Sequence, residues 1–188
     1  MYLQIAYRML GSKKSLTKMK KYLSLLHGET PKTINLFLIY GIGFIAFIVL
    51  FWYYSQNTML ERVLIGAIGL DIVGGIIANL TASTKKWWQS QSKVIQYLFL
   101  IVHIIQPIAF GYLASVDLSI MLYLFMYVLV VGCVLINLEW ELNRIFSITF
   151  TGLGIMLFAQ AGLGLMNNWF IVAYLLKLVV GFCIKEQN

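Results

Sequence analysis

Residues 60–80 read LERVLIGAIGLDIVGGIIANL. A helix that crosses the roughly 30 Å hydrocarbon core of a bilayer needs about 20 mainly apolar residues, and this run supplies them. One residue near its middle, Asp71, breaks the apolar pattern. A charge inside a span is costly, so an ionisable residue there points to function. Asp71, Gly74, Gly75, Ala78 and Asn79 fall at i, i+3, i+4, i+7 and i+8, the spacing of one helix face. Small residues on such a face let a second helix or a ligand approach the backbone closely. An acid at the head of the stripe and an amide at its foot make a polar groove; the plainer alternative is a packing face with one buried, neutralised Asp.

Five further runs have a similar length and composition: Ile34–Tyr54, Val94–Ser115, Leu118–Leu138, Ile145–Leu165 and Asn168–Ile184. The connections are short, and the longest, Thr81–Lys93, carries Lys85, Lys86 and Lys93. The chain lacks the alternating segments of about ten residues that mark a membrane β-barrel. The whole composition agrees: of 188 residues, 61 % are hydrophobic and 11 % charged, against about 45–50 % and about 25 % in soluble domains. A soluble domain, a disordered chain and a nucleic-acid binder are excluded. The expected fold is an all-α polytopic integral membrane protein, a six-helix transmembrane bundle over residues 34–188, preceded by a basic arm over residues 1–33.

The net charge of +7 is concentrated. Arg8, Lys13, Lys14, Lys18, Lys20, Lys21 and Lys32 all precede the first span. Within Ser15–His27, Leu16, Met19, Leu23 and Leu26 recur at helical spacing among lysines, with Gly28 and Pro31 as stop signals. This reads as an amphipathic helix on the cytoplasmic membrane surface, partnered by anionic headgroups; a solvated basic arm is the alternative. Lys/Arg bias sets orientation. With the N-terminus inside, Lys85, Lys86, Lys93, Arg144 and Lys185 also fall inside and Arg62 outside. The expectation is a multi-pass protein of the cell membrane with both termini cytoplasmic. The first apolar run is retained, since no cleavage site follows it. Trp52 and Trp169 then sit at outer ends, and Trp87, Trp88 and Trp140 at inner ends.

Counted along each helix at about 1.5 Å per residue, Asp71, His103 and Lys177 share one depth near mid-membrane. They are expected to converge on one interior polar site, with Tyr127 near the same level. In the third run Pro107 cannot bond the carbonyl four residues back, that of His103, so an imidazole, a free carbonyl and Gln106 gather there. Lys177 has two readings, an ion pair with Asp71 or a stem snorkelling toward the interface. Asn137, Trp140 and Glu141 are placed at the cytoplasmic mouth, and Gln160 among the glycines of the fifth run. No span looks broken into half-helices, and no inverted repeat is visible.

A carboxylate, an imidazole, an amine and a phenol suit proton transfer. The candidate catalytic residues are Asp71, His103, Lys177 and Tyr127. The candidate substrate-binding residues are Asn79, Gly74, Gly75, Gln106, Asn137, Glu141, Trp140 and Gln160. No metal or cofactor is expected: Cys133 and Cys183 have no metal-ligand spacing, a lone intramembrane histidine is a poor basis for haem, and no phosphate loop, HExxH, CxxC or GxSxG occurs. The stretch Asn137–Leu138–Glu139–Trp140–Glu141 is similar over five residues to the Asn-x-x-Trp-Glu stretch of small polytopic terpene cyclases. The other acids do not follow that family's order, so no membership is assigned; the likeness implies protonation-initiated cyclisation. The leading expectation is an intramembrane enzyme acting on a lipid- or isoprenoid-type molecule. The alternatives are a small carrier or substrate-binding transporter subunit, and a non-catalytic structural, immunity or sensor protein.

Overall fold

The computed structural model describes residues 26–161, 164 and 167–186. The expected amphipathic helix over Ser15–His27 lies, but for its last two residues, outside the described residues. Among the described residues every regular element is helical. Helix α1 spans Thr33–Tyr53, α2 Met59–Leu80, α3 Ala82–Gln89, α4 Lys93–Val102, α5 Ile105–Leu113, α6 Leu118–Asn137, α7 Trp140–Ala159 and α8 Asn168–Leu175, which continues as a π-helix over Leu176–Phe182. Taking α4 and α5 as one span, five helices are long and apolar enough to cross a membrane, the pattern of a multi-pass membrane protein. The last run is shorter, with eight α-helical and seven π-helical residues.

Helix starts follow local chemistry. Thr58 and Glu61 form a reciprocal capping box at the start of α2, with Glu61 Oε2 2.9 Å from the Thr58 amide. The Asp117 carboxylate accepts from the Ser119 amide at 2.8 Å and starts α6. Helix α7 begins at Trp140, ahead of the apolar run that opens at Ile145. Hydropathy marks where a helix enters hydrocarbon, not where it starts. The polar turn Trp140–Arg144 is helical outside the apolar window, with Glu141 in a first turn that favours negative charge. Likewise part of the expected connection Thr81–Lys93 is the helix α3, whose first turn is held by the Thr81 hydroxyl accepting from the Thr84 amide.

Two spans depart from regular α geometry, against the expectation of unbroken helices. The third breaks between α4 and α5 at His103–Ile104. There the amides of His103, Ile104 and Gln106 bond three residues back, to Leu100, Ile101 and His103. Pro107 removes the donor that would have reached His103, and the backbone tightens into a short turn. The second departure is the π segment, which closes with the Cys183 amide on the Leu178 carbonyl, five residues back.

The α8–π run forms the centre. Phe170, Tyr174, Leu175, Leu178 and Val179 are fully buried, and Phe170 stacks on Phe110 of α5 at 4.2 Å. A central helix that meets protein on every side need not match the bilayer thickness. Helix α1 is peripheral and packs mainly on α2 through glycines. A Cβ added at Gly74 would lie 3.1 Å from the Ile39 carbonyl oxygen, and one at Gly43 3.1 Å from that of Leu70. Gly74 is therefore a packing residue of the α1–α2 seam, not a wall of the polar groove. Successive residues on a helix are about 100° apart, so the stripe from Asp71 to Asn79 is wide enough for its two edges to face different helices. Gly74→Leu is expected to force the two backbones apart and cost about 1–3 kcal/mol. Thermal unfolding in detergent checks this, and an unchanged midpoint would refute the seam.

Candidate functional site

Asp71 lies close to the middle of the 22-residue α2, whose start is capped by Thr58. Its carboxylate Oδ2 accepts from the Lys177 ammonium at 2.8 Å and from the Gln106 side-chain amide. Three elements thus meet at one atom: α2, the start of α5 and the π segment. The Lys177 side chain is 4 % exposed and that of Asp71 56 %. The lysine is inside the bundle, and the carboxylate sits on its flank at mid-height. This is the one salt bridge among the described residues.

The path of the Lys177 stem depends on Gly75, where an added Cβ would lie 2.5 Å from Lys177 Cε. One turn further along α2, Asn79 donates from Nδ2 to the Lys177 backbone carbonyl at 3.2 Å. Asp71, Gly75 and Asn79 therefore hold Lys177 at its charge, its stem and its backbone. Snorkelling is not what the lysine does; its ammonium turns to Asp71.

His103 joins this centre through its backbone. Its carbonyl, which Pro107 cannot reach, accepts from the Gln106 amide at 3.2 Å and from the Tyr174 hydroxyl at 3.1 Å. The carbonyl is thus bonded, not free as the sequence suggested, because the neighbouring helix supplies a donor. The His103 ring turns to its own helix: Nδ1 lies 2.6 Å from the Phe99 carbonyl. A carbonyl only accepts, so Nδ1 carries a proton, and in the neutral ring Nε2 then keeps its lone pair. Among the described residues the ring makes no hydrogen bond to Asp71 or Lys177.

The other expected site residues lie elsewhere. Tyr127 donates to the Phe150 carbonyl at 2.5 Å and packs beside Gly154, in the α6–α7 seam. Asn137 is exposed and joins Lys93, Tyr97 and the Cys133 carbonyl at the end of α6. Trp140 lines a separate cavity at that end. Glu141 and Gln160 are exposed at opposite ends of α7. Gly74 belongs to the α1 seam described above.

Two residues that carry structure at these sites were not singled out from the sequence. Tyr174 lies one turn before Lys177, a spacing that places both on one face. Asn143 is fully buried. It donates from Nδ2 to the Leu135 and Cys183 carbonyls at 2.8 and 2.9 Å, and its Oδ1 accepts from the Lys185 amide at 2.9 Å. Among the described residues no group of three or more His, Cys, Asp or Glu could hold a metal ion. No family model, no curated protein and no solved structure matches the chain.

Proposed function

We propose that the chain is an enzyme of the cell membrane that performs acid–base chemistry on an apolar, lipid- or isoprenoid-type molecule at Asp71. The supporting observation is the carboxylate itself. Both of its bonds fall on Oδ2, and the side chain is half-exposed on the flank of the bundle, where a molecule dissolved in the bilayer arrives. Asp71, bonded to Lys177, is the group assigned as the proton acceptor. The neutral His103 ring offers a second base, Nε2, at the break in the third span. In this reading the short α8–π run completes six spans, both termini are cytoplasmic, and the arm over residues 1–33 rests on anionic headgroups.

A carrier is the second reading, favoured by one observation: the turn at His103–Ile104 and the π segment at Lys177 meet at the charged pair. Broken helices at mid-membrane are where transporters bind substrate, and π segments recur at functional sites.

Lipid extracts of membranes holding the wild type and the Asp71→Asn/Lys177→Met pair variant separate these readings. The expected result is a lipid or isoprenoid species made only with the wild type, while both proteins fold. Identical extracts would overturn the enzyme reading.

A further inference from the structure

The end of the bundle that carries Lys85, Lys86, Lys93 and Lys185 holds a second cluster of polar groups. A cavity of about 1080 Å³ opens there between α3, the first turns of α4 and α7, the end of α6 and the chain after the π segment. Its apolar floor includes Ile136, Phe182 and Trp88, and its rim includes Lys86, Lys93 and Lys185. None of these three cations has a salt bridge among the described residues. Glu186 also lines the cavity, but its charge acts on Lys85, whose ammonium is bonded to the Ile184 carbonyl at 3.1 Å.

Two of the rim lysines are held in place. Lys93 Nζ donates to Asn137 Oδ1 at 2.7 Å, and Lys185 Nζ to the Leu138 carbonyl at 2.6 Å. An ammonium has three N–H donors, so each keeps donors to offer. Burial, and then the charge of Lys93, hold the Lys185 ammonium below its ordinary range. Like charges therefore face one another here without a carboxylate bonded between them. Independently, Trp88 is 6 % exposed, and its Nε1 N–H has no partner among the described residues. That N–H is enclosed in the wall, so what the cavity itself presents is its unpaired cations.

We propose that this cavity binds the phosphate headgroup of an anionic membrane lipid, with Lys93 and Lys185 on the phosphate oxygens. An ammonium is a point-charge binder of phosphate, which suits a site built without arginine. The lipid source follows from the lining: the apolar floor lies at the end of the apolar α4, α6 and π segments, where an acyl chain leaves the headgroup. Trp88 and Trp140, both lining the cavity, are of the residue type that gathers at the membrane–water level. The inference does not rest on the chemistry assigned to Asp71.

The test uses the full chain in nanodiscs of phosphatidylcholine with and without phosphatidic acid, read by native mass spectrometry of retained lipid. Wild type is expected to retain phosphatidic acid over phosphatidylcholine, and Lys93→Gln/Lys185→Gln to lose at least about tenfold of that preference. Lys93→Arg/Lys185→Arg, which keeps the charges, is expected to restore most of it. Equal retention by wild type and the Gln variant would overturn the proposal. So would binding of inorganic phosphate in pure phosphatidylcholine discs with no preference for the anionic lipid. Unchanged thermal midpoints show that the variants fold.

Discussion

Asp71→Asn is expected to destabilise the protein by about 3 kcal/mol, because it leaves the Lys177 ammonium inside the bundle without its counter-charge. The figure is the low end for a broken buried pair. The asparagine can still accept from Gln106, so the loss reads the charge and not the shape. Lys177→Met is expected to cost about as much, about 3 kcal/mol: it leaves a carboxylate at mid-membrane that keeps only its Gln106 donor and whose open side faces hydrocarbon. Removing both charges together, in Asp71→Asn/Lys177→Met, should recover to within about 1 kcal/mol of the wild type, since a methionine fills the lysine channel beside Gly75. The double-mutant coupling is then about 5 kcal/mol or more. Equilibrium unfolding in bicelles measures all four proteins. Simple additivity would show that the pair does not hold the π segment to α2.

This cycle bears on function as well as stability. A variant that folds but has no charge at mid-membrane distinguishes a centre that does chemistry from one that only joins helices. If the pair variant retains whatever the wild type makes, Asp71 is helix glue.

How far the sequence foretells these features depends on what each one rests on. Runs of about 20 apolar residues report transfer into hydrocarbon, a property each residue carries by itself. That is why four spans can be located within a residue or two, while the fifth, expected over Ile145–Leu165, starts and ends earlier, at Trp140–Ala159. The meeting of Asp71 with Lys177 is accessible for the same reason, since depth is counted along each helix. Depth does not say which way a side chain turns, however. Tyr127 sits at a suitable level and faces Phe150 instead, and the His103 ring turns back to Phe99. Gly74 and Gly75 are neighbours in sequence, yet one meets Ile39 and the other Lys177. The break at His103 is signalled by Pro107, but the hydroxyl that answers the freed carbonyl comes from Tyr174, 71 residues away. The lysines at the basic end mark orientation when read along the chain. Their positions around one cavity depend on how α3, α4 and the C-terminal chain pack.

Asn143→Leu is the second large effect, expected at about 3–4 kcal/mol. Leucine has a similar volume but no polar atoms. It would leave the Cys183 carbonyl and the Lys185 amide without their partner, while the Leu135 carbonyl keeps the Leu138 amide at 3.2 Å. Each buried group left unpaired costs about 1–3 kcal/mol, reduced where water reaches it. Asn143→Asp keeps the acceptor for the Lys185 amide but sets an unpaired carboxylate against two carbonyls in a fully buried site, so it should cost at least as much as Asn143→Leu. The effect is also local, because Cys183 and Lys185 line the basic cavity. Hydrogen exchange at the Lys185 amide should therefore accelerate in Asn143→Leu by more than at mid-span amides of α6. The preference for an anionic lipid should weaken too, although Asn143 bonds none of the rim ammoniums. Unchanged exchange at Lys185 would mean that the chain after the π segment is held by its own packing and not by Asn143.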